Sequence, residues 1–246
     1  MYKASLIKVI TILSCILIAA GCSKEFCFKK TGNIIIEKRI LPSFSTIELY
    51  ERINLILTQD DEQQVSVETG ENLLSDISTN VTDGVLTIHD NNSCNWARNL
   101  DNRINVYITV PKLSRILYYG AGDISSTNTL KSYDFYMDSW TGIGSVHLNV
   151  DATNTYVTQR QNNADISITG NSYYTFVYCT EQGTIDLRGL NSMIVNVDHR
   201  SILPVYINAS DSIDAHVFHT GNVYYKGHPS KINTLYTNSG RLIPMD

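Results

Sequence analysis

From about residue 115 onward the chain repeats itself with a period near twenty, and no other feature limits its fold so strongly. The apolar anchors Ile124, Val146, Ile166, Ile185, Val205, Val223 and Leu242 follow one another at spacings of 22, 20, 19, 20, 18 and 19. Two residues before them stand Gly122, Gly144, Ala164, Gly183, Leu203, Gly221 and Gly240, so five of seven are glycine in a chain that has only 14. Two residues after them stand Ser126, Leu148, Ile168, Leu187, Ile207, Tyr225 and Pro244, mostly apolar. An apolar–polar–apolar triplet is a short strand with alternate side chains facing inward. The glycine before it supplies a corner, either through a positive φ or through close approach of another backbone. A second apolar run falls midway in each unit: Phe135-Tyr136-Met137, Tyr156-Val157, Phe176-Val177-Tyr178, Ile194-Val195, Val217-Phe218 and Leu235-Tyr236. Short strands at this period fit one lap of a parallel β-solenoid, with successive laps stacked at about 4.8 Å. An antiparallel sandwich is the competing reading. It favours two-residue Asn-Gly or Asp-Gly turns, and the one such pair, Asp83-Gly84, lies outside the repeat.

Composition agrees with an all-β chain. Charged residues are 17 %, apolar residues 43 %, and there are 15 tyrosines. Tyrosine favours strands. Residues 33 to 110 carry longer, differently spaced strands: Ile34-Ile35-Ile36, Thr46 to Leu49, Ile53 to Leu57, Val65-Ser66-Val67, Val85 to Ile88 and Ile104 to Ile108. Asp60-Asp61-Glu62 reads as an exposed turn, and Glu71 to Ile77 as the one helical turn. Terminal units of a solenoid are expected to be atypical. Residues 33–246 are therefore read as one solenoid domain of about 20 residues per turn with an irregular N-terminal β cap, since no linker composition interrupts them near residue 110.

Lys3 and Lys8 precede a 12-residue apolar stretch, Val9 to Ala20, and small residues follow, which is the order of a secretory signal. A membrane-spanning helix needs about 20 apolar residues. Ile18-Ala19-Ala20-Gly21-Cys22 resembles a bacterial lipobox, although Ala19 stands where such motifs usually carry Leu. The resemblance implies residues 1–21 as signal peptide, lipid attachment at Cys22 and residues 22–32 as a lipidated tether. Two or three acyl chains anchor a protein stably. Ser23 is not the Asp that retains many such proteins at the inner membrane, which points to the outer membrane, on a face the sequence leaves open. Without residues 1–21 the chain has 17 bases against 24 acids, a formal charge of −7, because Lys3 and Lys8 leave with the signal. No basic run is longer than Lys29-Lys30, so nucleic acid is not an expected partner. Cys27, Cys94 and Cys179 then leave room for one disulfide, with Cys27 and Cys94 the first candidate pair, and one free thiol. Neither a metal nor a cofactor is expected.

Several stretches resemble the auto-transporter adhesin family known as the head GIN domain, found in Bacteroidota-type bacteria. They are Phe44-Ser45-Thr46-Ile47, Arg52-Ile53-Asn54-Leu55, Asp83 to Ile88, Ile104 to Pro111, Gly120-Ala121-Gly122-Asp123-Ile124 and Tyr225-Lys226-Gly227-His228-Pro229. The resemblance covers about residues 33 to 243. It implies a right-handed β-helix related in shape to pectate-lyase-like folds, without their catalytic residues, and an adhesive role. Arg52 departs from the glycine that the family name leads one to expect. The Gly-x-Gly corners decay after Gly142/Gly144 to Asn162/Ala164, Glu181/Gly183 and Ser201/Leu203.

No catalytic set converges in the sequence. Asp123 and Asp165 share an offset two laps apart, about 9.6 Å, the upper limit for an inverting carboxylate pair. His147 and Asp186 are likewise two laps apart, and His216 and His219 point to opposite faces of a strand. Tyr206 and Tyr224 share the outward offset in adjacent laps, which makes them the candidate surface aromatic contact for a glycan or for an envelope or host protein. The alternative role for such a pair is to stabilise the sheet. The expected function is a non-catalytic binding or adhesion module held on the cell envelope by its lipid. The rivals are a polysaccharide lyase or glycoside hydrolase on the same fold, and a structural component of an envelope complex.

Overall fold

The computed structural model describes residues 30–93, 104–161, 163–180 and 182–245. The repeat is a coil of parallel strands. After β1 (Ile34–Arg39), β2 (Thr46–Leu49), β3 (Ile53–Gln59), β4 (Gln64–Gly70), β5 (Ile77–Thr82), β6 (Val85–Asp90), β7 (Ile104–Val110) and β8 (Arg115–Tyr118), the laps become regular. Three long strands bend round the coil: β9 (Ile124–Ser139), β10 (Ser145–Gln159) and β11 (Asp165–Cys179). Then follow β12 (Ile185–Asp186), β13 (Leu190–His199), β14 (Val205–Val217), β15 (Val223–Lys226), β16 (Lys231–Tyr236) and β17 (Leu242–Pro244).

All seven anchors lie side by side on parallel strands: Ile124 beside Val146, Val146 beside Ile166, Ile166 beside Ile185, Ile185 beside Val205, Val205 beside Val223 and Val223 beside Leu242. The inward side chains are buried and form one continuous apolar cluster from Phe44 to Val223. Stacking the laps removes each triplet's apolar face from water, which no lap achieves alone. The corner glycines act through close approach. A Cβ on Gly144 would lie 2.4 Å from the Gly122 carbonyl oxygen, and one on Gly240 would lie 2.2 Å from that of Gly221. The positive-φ glycines, including Gly170 and Gly227, stand elsewhere in the laps.

The midway runs are phased differently from the anchors. Val197 lies beside Val177 in an unbroken register of β11 with β13, and the register shift between Ser192 and Ile194 falls in the pairing of β13 with β14. Bulges absorb the extra residues there, while the anchor strands keep step.

The N-terminal cap does not wind in chain order. β2 pairs in parallel with both β6 and β8, and β3 with both β7 and β9. The β2–β3 lap is therefore held between a later lap on one side and the main coil on the other. β4 runs antiparallel to β7, β1 antiparallel to β4, and β5 antiparallel to β6, so antiparallel strands close this end. The expected helical turn is present as a single 3-10 turn, Leu74–Asp76, and Asp60, Asp61 and Glu62 are exposed.

Candidate functional site

The carboxylates of the coil are mostly engaged in holding one lap to the next. At four places the residue just before an anchor position offers its side-chain oxygen to the backbone N–H of the following lap. Asn54 accepts from Asp123 at 3.0 Å, Asp123 from Ser145 at 3.1 Å, Asp165 from Thr184 at 3.3 Å and Asn222 from Arg241 at 2.9 Å. Pro204, which has no N–H, interrupts the series, as does Asp165, whose N–H donates to the Gly144 carbonyl. The Thr184 hydroxyl also binds Asp165. Asp123 and Asp165 thus do what the amides Asn54 and Asn222 do. The other acids are engaged as well: Asp134 with Asn154, Asp138 with Arg115 and Thr158, Asp186 with Arg188, Asp198 with Arg200, Asp211 with Ser230 and Asp214 with His216. Arg188 holds the Asp186 carboxyl below its usual range, mainly by hydrogen bonding. Between residues 115 and 245 Asp151 is the one described acid that has no partner among the described residues.

Aromatic rings divide in the same way. Just beyond β2, β8, β9, β10, β13 and β14 stand Tyr50, Tyr119, Trp140, Arg160, Arg200 and Phe218, which form a ladder along one corner. His89 stacks on Tyr50 at 4.1 Å, Tyr50 on Tyr119 at 4.7 Å and Tyr119 beside Trp140 at 6.5 Å. The Arg160 guanidinium sits 4.7 Å from the Trp140 ring and 5.1 Å from Tyr178, and Arg200 sits 4.6 Å from Phe218. The candidate pair Tyr206 and Tyr224 stacks with centroids 5.4 Å apart and planes 18° apart, and Arg188 lies 4.7 Å from Tyr206. Both tyrosines are half-buried. A ring engaged by its neighbours in this way offers a ligand little beyond its edge.

Tyr133 and Tyr173 are the contrast. They are 69 % and 53 % exposed, with no ring or cation contact among the described residues. Each belongs to a long strand, β9 or β11, and the lap between them, on β10, carries Thr153 in the same column. The two phenols therefore stand about 9.6 Å apart along the coil axis with a small side chain between them. They border an open groove of about 620 Å³ that also takes in Gln59, Lys112, Lys131 and the unpartnered Asp151. The floor is fixed: the Gln59 amide donates to the carbonyls of Pro111 and Lys131, and its oxygen accepts the Lys131 N–H. The side chains of Lys112 and Lys131 have no partner among the described residues. Flat apolar rings, an acceptor and two donors thus converge, unengaged, on one rigid corner. The sequence reading missed this groove; its signal was two tyrosines forty residues apart on one column.

The family model described as "Putative auto-transporter adhesin, head GIN domain" matches residues 43–229. The chain belongs to this family. Its matched span contains every groove residue, both aromatic stacks and the corner glycines as far as Gly221, whereas β16 and β17 lie beyond it. Solved structures share the fold. A "putative adhesin" from Bacteroides fragilis aligns with a TM-score of 0.78 at 21 % identity, covering 87 % of this chain and 97 % of that one. A "putative adhesin" and a "putative lipid binding protein", both from Parabacteroides distasonis, align at 0.62 and 0.60 with 18 % and 16 % identity, each covering 87 % of this chain and 98 % of its own. Among curated proteins nothing matches the chain.

Cys22, Cys27 and Cys94 lie outside the described residues, so lipid attachment and the Cys27–Cys94 pairing have no geometry here. Cys179 is buried in the core, and burial pushes its thiol up to about 12. Burial also lowers the pKa of His199, whose Nε2 lies 2.9 Å from the Leu203 carbonyl in the Ser201–Pro204 turn. Among the described residues no three His, Cys, Asp or Glu side chains are grouped to hold a metal ion. None of the described helices is long and apolar enough to cross a membrane.

Proposed function

We propose that this chain is a non-catalytic adhesion module of the bacterial cell envelope, exported by its first 21 residues and anchored through lipid on Cys22 at the outer membrane. The observation that carries the reading is the groove at Tyr133 and Tyr173. It gathers rings and polar groups that the fold does not use, on a coil whose other described acids between residues 115 and 245, and most of whose other rings, are engaged in its own construction. A stiff coil suits display, because each lap is fixed to the next by parallel ladders and by side-chain bonds at its corners. Family membership and the adhesin-like neighbours point the same way.

Three measurements test the proposal together. Cys22→Ala is expected to move the protein from the membrane fraction to the soluble fraction while it still folds. Cells carrying the wild-type chain are expected to attach to an epithelial or mucin-coated surface more than cells lacking it. Asp165→Asn should change neither attachment nor the intactness of polysaccharides incubated with the protein. Cleavage of a polysaccharide that is lost in Asp165→Asn would replace this reading with an enzyme. Attachment equal with and without the chain would remove the adhesive role.

A further inference from the structure

We propose that the groove between Tyr133 and Tyr173 is a binding site for an oligosaccharide, read through its hydroxyls and C–H faces rather than through net charge; the inference rests on the binding role argued above. The first ground is the rings. Exposed aromatic faces without a ring partner are apolar area next to polar tips, which suits a ligand that is itself flat, partly apolar and studded with hydroxyls. The second ground is the signs of the free groups. Lys131 and Asp151 are register neighbours on β9 and β10, and neither side chain has a partner among the described residues. A donor beside an acceptor matches a hydroxyl, which both accepts and donates. An anionic ligand would call for donors alone, and an apolar ligand would leave both groups dry and unpaired.

The third ground is spacing. The rings occupy one column two laps apart, about 9.6 Å, with Thr153 between them. That separation is wider than a single sugar ring, so one ring cannot cover both phenols. A chain of linked sugars lying along the coil axis covers them in turn and brings intermediate hydroxyls over Asp151 and Lys131. The site is also pre-formed. Its backbone belongs to continuous strands, and the Gln59 amide ties the neighbouring N-terminal lap to the carbonyl of Lys131. Little ordering entropy remains to oppose binding.

The test uses full-length protein in detergent on an array of defined neutral and acidic oligosaccharides, from one to six sugars long. Binding is expected for neutral chains of three or more sugars and absent for single sugars. It should be unchanged between low and high salt, since screening weakens only contacts between exposed charges. Tyr133→Ala and Tyr173→Ala should each weaken binding by roughly threefold to tenfold, and Tyr133→Phe should leave it nearly intact. Asp151→Asn should weaken it by about tenfold or more through loss of a charged acceptor. All three positions are on the surface, so thermal melts of the variants should match the wild type. No binding to any array member, binding indifferent to both tyrosine substitutions, or binding confined to acidic chains and abolished by salt would each overturn the site. Cell attachment measured with the same variants separates the two readings. Attachment that persists without glycan binding removes the oligosaccharide and keeps the adhesive role. Glycan binding without attachment does the reverse.

Discussion

Tyr118→Phe removes one oxygen from the driest corner of the coil. The Tyr118 side chain is fully buried, its hydroxyl donates to the Gly122 carbonyl at 2.6 Å, and it accepts the Gly144 N–H at 2.9 Å. One phenol thus joins two corner glycines on successive laps. Phenylalanine keeps the ring and leaves both backbone groups without that partner. The expected loss is about 2 kcal/mol, or roughly 4–8 °C in Tm for a domain of this size. The phenol also sets an alkaline limit. Burial, the largest cause, raises its pKa from 10.0 to about 12. The fold holds the neutral form, so this stabilisation is complete below pH 10 and is lost as pH climbs from 10 towards 12, amounting to about 3 kcal/mol over the shift. Urea unfolding at steps from pH 8 to 12 reads both effects. The gap between wild type and Tyr118→Phe should be widest below pH 10 and should close above it, because the variant has no such group to ionise. A variant as stable as the wild type at pH 8, or a gap that stays constant across the alkaline range, refutes the assignment of the hydroxyl as a lap-to-lap tie.

Ile185→Ala, in the centre of the anchor column, should destabilise the protein by about 2–5 kcal/mol, seen as a lower urea midpoint, with the partners Ile166 and Val205 left facing a void. Arg160→Ala should lower stability by about 0.5–1 kcal/mol and shift tryptophan emission, since the guanidinium covers the Trp140 ring. In native protein at pH 8 the Cys179 thiol should resist thiol reagents, being buried with its pKa pushed up to about 12, and should react fully once the chain is unfolded in denaturant. Fast labelling of Cys179 in the native state would mean that the lap around it opens.

The regular half of the fold was legible because one physical requirement repeats there. Each lap must place an apolar anchor under the next, so Ile124 through Leu242 keep step in the sequence as they do in space. The midway runs were legible only in outline. Val195 and Val197 are both buried, so residue type does not say which of them stands beside Val177, and the register shift between Ser192 and Ile194 leaves no mark in composition. The lap order of the cap left no local trace. β2 and β6 are both short apolar strands, and their places are set by pairing across long chain separations rather than by their own residues. For the site, Tyr206 and Tyr224 drew attention because they are adjacent on the column, and adjacency is what engages them with each other. Tyr133 and Tyr173 stay free because Thr153 separates them, a pattern visible only when alternate laps are compared.

The interleaved cap has a mechanical consequence. A pull on the N-terminal side of the chain meets β1 first, which among the described strands pairs with β4 alone. Peeling cannot then continue strand by strand, because the next strands, β2 and β3, are gripped along both edges by segments that come much later in the chain. Both edges must shear together before the laps beyond β9 feel the load. A protein hauled from that end under flow therefore has a lock in front of its zipper.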